Sequence, residues 1–133
     1  MTSTSAASTV AAFRRAVESA DSGGVLATLA DDVTFHNPVM FRAVHGREAM
    51  RMIVPSLLRT WKDLRYTGEL HGPDGEIGLI FTAGVGDRIA QGIDLLHLDD
   101  QARIDGITVM VRPLSALQTL ANAMAAALQS GAA

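Results

Sequence analysis

The chain contains no cysteine. Disulfides, thiolate nucleophiles and cysteine-ligated zinc are thereby excluded, and the composition suits a reducing compartment. Runs of one charge are missing too. The 11 basic and 14 acidic residues are scattered over 133 positions for a net charge of −3, so no basic stripe exists to neutralise a phosphate backbone, and nucleic acid is not an expected partner. No apolar run approaches the roughly 18 residues that begin to suggest a membrane span, and the first twelve residues lack a basic export segment. A cytoplasmic protein with no membrane partner is the expectation. Repeats, low-complexity linkers and composition breaks are also lacking, so residues 1–133 are read as one domain.

What is present is a change of hydrophobic period partway along the chain. Val10, Phe13, Val17 and Ala20 recur at helical spacing, and Asp21-Ser22-Gly23-Gly24 is expected to stop that helix. Val25 to Ala30 reads as a short second helix. The β-branched and aromatic Val33-Thr34-Phe35-His36 reads as a strand, and Pro38 restricts Asn37 to an extended backbone. Gly46 opens a third helix with Ala49, Met52, Ile53, Leu57 and Trp61 on its apolar side and Pro55 as a possible kink. From Leu64 the period becomes two. Leu64–Leu70, Glu76–Val85, Ile89–Leu98 and Arg103–Val111, separated by Gly- and Asp-rich turns, predict an antiparallel meander. Pro113 begins a last helix striped by Leu114, Leu117, Leu120, Ala121 and Met124, between a polar start at Met1–Ser5 and a tail at Ser130–Ala133. Helices followed by a long sheet predict an α+β fold in which N-terminal helices cover the concave side of a curved antiparallel sheet, leaving a cone-shaped cavity.

Two segments could place polar groups in that cavity. In Gln91–Asp100, Asp94 shares strand parity with Gly92, Leu96 and Leu98, so an acid stands on an apolar face. Desolvation there would raise its pKa and make it a general acid or a hydrogen-bond donor; the alternative is an exposed or backbone-capping aspartate. In Leu29–Val39, His36 is a candidate proton-transfer partner or else a strand-end surface residue, and Asn37 offers a donor and an acceptor to a ligand carbonyl. Asp94 and His36 are thus the catalytic candidates. Asn37, Phe13, Val17, Met40, Met52, Trp61 and Met110 are the ligand-binding candidates, with Met50 as a further soft wall residue. Tyr66, like Trp61 at the start of the sheet, is read as packing, with closure of the pocket as the alternative. His45, His71 and His97 share no metal-ligand spacing, and Gly84-x-Gly86 is followed by no helix that would hold a phosphate, so neither a metal nor a cofactor is expected.

The order of Asp21 near Gly23-Gly24, Leu29-Ala30-Asp31-Asp32-Val33, Asn37-Pro38-Val39, Gly46-Arg47-Glu48-Ala49 and Gly92-Ile93-Asp94 with Asp99-Asp100 resembles the nuclear transport factor 2-like superfamily, in particular its SnoaL-like and ketosteroid-isomerase-like bacterial members, over residues 9 to 128. The resemblance implies a cystatin-like roll, a small hydrophobic carbonyl-containing ligand of polyketide-like or steroid-like kind, and a homodimer formed through the sheet. Activity does not follow from the fold, which also carries inert binding or interaction modules. A ketosteroid isomerase uses a carboxylate base with a tyrosine and a protonated aspartate. The resemblance puts these roles at Asn37, Phe13 and Asp94, so only the last is filled. The last strand, Gly106–Arg112, lacks the acid that cyclases and epoxide hydrolases of this kind carry there, and Arg103-x-Asp105 lies beside a turn. Proton transfer, isomerisation or elimination through Asp94 is the expected chemistry, and a non-catalytic dimeric module is the alternative.

Overall fold

The computed structural model describes residues 5–131, with side chains to Ala126. Residues 1–4 and 132–133, parts of the expected polar start and tail, lie outside the described residues. Four helices, α1 (Ala6–Glu18), α2 (Ser22–Ala27), α3 (Arg47–Thr60) and α4 (Leu114–Gly131), accompany six strands, β1 (Leu29–His36), β2 (Val44–His45), β3 (Lys62–His71), β4 (Glu76–Val85), β5 (Arg88–Leu98) and β6 (Ile104–Arg112). Ser130 and Gly131 thus continue α4 rather than forming a tail. No helix among the described residues is long and apolar enough to cross a membrane.

One sheet runs in the order β2-β1-β6-β5-β4-β3. The antiparallel meander expected from the alternating segments is formed by β3 to β6, and β1 adds to it in parallel alongside β6, with Phe35 opposite Ile107. The inner face is the apolar parity of each strand: Leu79, Phe81 and Ala83 on β4, Leu96 and Leu98 on β5, and Ile107 on β6 are all buried. Val10, Phe13 and Ala16 of α1, and Met50 and Val54 of α3, pack into the same core.

Local differences from the expected elements have identifiable causes. The first helix ends at Glu18, ahead of the Asp21–Gly24 cluster, but the second runs over Ser22–Ala27 rather than Val25–Ala30, because the Asp21 side chain caps it by accepting from the Gly24 N–H at 3.0 Å and Leu29-Ala30 open β1. The buried stripe of α3 is Met50-Val54, with Leu57, Leu58 and Trp61 packed against the core, so it is rotated by about one residue from the Met52-centred face and carries Met52 out to 81 % exposure. The helix runs through Pro55 without a break. The short β2 was not legible: two residues held by pairing to Thr34 and Phe35 leave no period to read.

Gly46 makes the turn from β2 into α3. Its φ of 95° and ψ of 146° lie where a side chain is strained, while its N–H donates to the Val33 carbonyl at 2.7 Å and so ties the turn to β1. The nearest atom to a Cβ built there is 4.0 Å away, so any penalty is one of backbone strain and not of crowding. Gly46→Ala is therefore expected to lower unfolding free energy by about 1–3 kcal/mol, as read from urea midpoints at constant m-value. Asp21→Ala should cost about 1 kcal/mol through loss of the α2 cap, measured in the same way.

Candidate functional site

Asp94 lies at the middle of β5, paired with Leu79 of β4 on one side and Val109 of β6 on the other. Its parity sends the side chain inward, where it is 7 % exposed, and it lines a cavity of about 80 Å³ between the sheet, α1, α3 and α4. Phe13, Val17 and Trp61 are on the wall, as are Met50 and Phe81, and Leu120 and Met124 bring α4 over it. The remaining wall is aliphatic or aromatic, so Asp94 is the one ionisable side chain among the lining residues described.

Its partner comes from two strands away. Tyr66 on β3 faces Phe81 on β4, which faces Gly92 on β5. Two strand spacings amount to about 10 Å, a span a tyrosine side chain can cover by lying across the intervening strand. The Tyr66 hydroxyl donates to Asp94 Oδ2 at 2.7 Å, and both residues are buried. Tyr66 is held in turn. Its ring packs on Phe13 and Phe81 with centroids 6.5 and 6.2 Å away, the Arg14 guanidinium lies 5.7 Å over its face, and its N–H donates to Glu18 Oε2 at 2.9 Å beside an irregularity in the β3–β4 pairing. Arg14 is itself fixed by Glu69 at 3.2 Å.

Burial pushes the Asp94 carboxyl up to about 6, and the hydrogen bond from Tyr66, which favours the anion, opposes that rise. Burial raises the Tyr66 hydroxyl as well, and the neighbouring carboxylate adds to this, so Tyr66 stays protonated and remains a donor. Tyr66 is the only side-chain hydrogen-bond partner of Asp94 among the described residues, and no buried side-chain polar atom among them lacks a partner. The second carboxyl oxygen therefore reaches open space rather than being sealed off. A carboxyl that titrates near neutrality with one free oxygen in an apolar cavity can donate to a ligand oxygen when protonated and accept a proton when ionised.

Several expected site residues lie elsewhere. His36 is exposed, because Val33 and Phe35 take the inward positions of β1 and the next residue must point out. The Asn37 side chain closes a turn, Oδ1 accepting from the Val39 and Met40 N–H groups at 2.9 and 2.7 Å, so its acceptor serves the loop. Met110 follows inward-facing Val109 and is 52 % exposed, Met40 stands 53 % exposed in the loop after Pro38, and Met52 lies off the buried face of α3. None of these five is on the cavity wall. His97, the other perturbed group, is on the outer face, where the Asp105 carboxylate 2.6 Å away raises its pKa. No group of three or more metal-ligating side chains occurs among the described residues. The polar role that sequence reasoning missed is that of Tyr66. This residue is the single tyrosine of the chain and shares inward parity with Leu64, but only the strand register brings its hydroxyl to Asp94.

The raised Asp94 pKa has a consequence for stability. An unfolded aspartate titrates near 3.8, so between about pH 4 and 6 the folded state holds the extra proton, and stability from this group falls as pH rises through that window. Asp94→Asn, which keeps the shape and removes the charge, is expected to be more stable than the parent at pH 7.5 by about 1–3 kcal/mol and to lose that advantage by pH 4, as judged by urea unfolding at both pH values.

A family model described as SnoaL-like domain matches residues 10–111. Among solved structures the chain is similar to a steroid delta-isomerase from Pseudomonas aeruginosa, at 35% identity over 94% of this chain and 92% of that one with a TM-score of 0.88. It is also similar to an uncharacterized bacterial protein with a cystatin-like fold from Silicibacter pomeroyi, at 27% identity over 93% and 87% of the two chains with a TM-score of 0.87. In fold alone it is similar to SalBIII, an epoxide hydrolase/cyclase-like enzyme in pyran ring formation in polyether salinomycin, at 18% identity over 82% and 92% of the chains with a TM-score of 0.68. No curated protein sequence matches the chain. The match over residues 10–111, the 35% identity to the isomerase and the helix-covered curved sheet agree, and the chain belongs to the SnoaL-like domain family of the nuclear transport factor 2-like superfamily.

Proposed function

We propose that the protein binds a small apolar carbonyl compound in the cavity, with the carbonyl oxygen at the open oxygen of Asp94, and that Asp94 assists enolisation by passing a proton to it. The observation that carries this reading is the carboxyl of Asp94, one oxygen held by Tyr66 and the other open, at a pKa of about 6 in an otherwise apolar cavity. A neutral ketone gains little from an apolar wall alone, and a protonated carboxyl is the donor it lacks. Desolvation by the ligand raises the carboxyl further and favours that protonated form. The family includes isomerase-like members, and the 35% identical steroid delta-isomerase supports proton transfer as the reaction type. The usual isomerase base has no counterpart on the wall, since position 37 is an asparagine whose side-chain oxygen closes a turn. Water is accordingly the acceptor of the carbon-bound proton in this scheme, and no cofactor takes part.

The outer face of the sheet favours a second, compatible reading as a homodimer. Ile89 and Met110 are 79 % and 52 % exposed there, and Ile80, Ile93 and Met110 line a shallow depression of about 370 Å³ that a second copy could cover. Ile77, Leu79 and Ile107 are buried in the core and lend nothing to that face.

Titration with 2-cyclohexenone followed by NMR should give an affinity that falls about tenfold per pH unit above pH 6 in the parent and stays flat in Asp94→Asn; a flat parent profile would remove Asp94 as the donor. Exchange of ketone α-hydrogens in deuterated water should be accelerated by the parent and slowed about 100-fold or more in Asp94→Asn. For the dimer, sedimentation velocity should show a two-protomer species that Met110→Glu converts to monomer, whereas a monomeric parent at 100 times the assay concentration would rule it out.

A further inference from the structure

We infer that the cavity selects a short-chain or single-ring compound and excludes fused-ring ketones, and that Phe81, seated on the bare backbone of Gly92, sets that limit. The ligand's being a carbonyl compound rests on the reading proposed above. Its size rests on packing alone.

The cavity measures about 80 Å³. Pockets for drug-sized molecules run to about 300–1,000 Å³, and an engineered dry cavity of about 150 Å³ holds one benzene. The space beside Asp94 is about half of that benzene-holding volume, so a short chain or a single small ring is its upper limit, well short of a four-ring skeleton.

What keeps it small is a wall with little freedom to retreat. Phe81 is 1 % exposed and stands directly opposite Gly92 across the β4–β5 pairing. A Cβ placed on Gly92 would collide with Cζ and Cε2 of Phe81, and would come within 2.7 Å of the Met110 carbonyl oxygen. The phenyl ring thus lies over the neighbouring strand at the one position without a side chain, two residues from Asp94. It is also gripped from both sides. Trp61 meets it edge-to-face at 5.5 Å and 71°, and Tyr66 at 6.2 Å and 81°. The backbone of β5 blocks movement toward the sheet, and movement along it breaks one of the two aromatic contacts. Met50 and Met124 on the rest of the wall can shift to admit a small ring, but the Phe81 side, unlike a methionine lining, does not adapt to larger ligands. The wall is also coupled to the chemistry, because the ring that limits the space is the one against which Tyr66 leans to reach Asp94.

The test uses benzene and naphthalene, which carry no carbonyl and so read size whatever Asp94 does. Ligand-observed NMR would be recorded on the full chain as parent, Phe81→Leu and Phe81→Ala, with near-ultraviolet circular dichroism showing which variants keep native packing. The parent is expected to bind benzene saturably and naphthalene at least tenfold more weakly. Phe81→Ala is expected to gain tenfold or more for naphthalene, and Phe81→Leu to gain in the same direction should the alanine variant not fold. Parent binding of naphthalene as tight as that of benzene, or no gain in any folded variant, would overturn the size limit. The same variants titrated with 2-cyclohexenone and 1-tetralone separate the two claims. Size selection retained by the hydrocarbons, with no pH-dependent binding of either ketone, would keep Phe81 as the limiting wall and overturn the carbonyl assignment.

Discussion

The hydrogen bond from Tyr66 to Asp94 is the interaction around which the rest of the site is arranged. It spans two strand spacings, so it is possible only because β3, β4 and β5 pair in one particular register. An isolated carboxylate in an apolar cavity would be too costly to keep charged, and a carboxyl bonded on both oxygens would have nothing left for a ligand. One neutral donor on one oxygen lies between these limits. It leaves the acid titrating close to neutrality, because desolvation outweighs the single stabilising bond.

That arrangement uses nearly all the aromatic side chains the protein has. The chain contains four phenylalanines, one tyrosine and one tryptophan, and Phe13, Phe35, Trp61 and Phe81 line the cavity with Tyr66 packed against two of them. Only Phe41 stands apart, fully exposed in the loop between β1 and β2. Large, rigid rings define a small space more sharply than flexible side chains of similar volume. The methionines expected to form a soft wall face mostly outward instead, and Met50 and Met124 are the ones on the wall.

The meander, the covering helices and the inward acid were legible because each rests on a local period that one sequence displays. Asp94 was visible as a charge on an apolar parity, and Phe13 and Val17 as part of a helical stripe. What was not legible depends on relations between distant segments. Tyr66 looked like packing because strand pairing, and not spacing, decides which residue it meets. Met52 and Met110 missed the wall by one position, since a one-residue shift of phase sends a strand side chain to the other face and turns a helical one by about 100°. Asn37 has the chemistry of a ligand contact, but its oxygen is captured by amides two and three residues on, a local competition that composition does not reveal. Asp21 likewise moved the start of the second helix from Val25 back to Ser22 by capping it.

The parallel pairing of β1 with β6 bears on how the molecule assembles. Phe35 meets Ile107 and His36 meets Thr108, so the strand that joins the N-terminal helices to the sheet, paired locally only with the two-residue β2, has its long neighbour about seventy residues on. Contacts this distant in sequence carry a high loop-closure cost and tend to slow folding. During synthesis, α1, α2 and β1 emerge well before the strand that completes their side of the cavity. Until β6 is available, Asp94 lacks Val109 beside it. Without β6, Asp94 would lose Val109 and Ile107 from its surroundings, so the desolvation that raises its carboxyl depends on the last strand of the sheet to be synthesised.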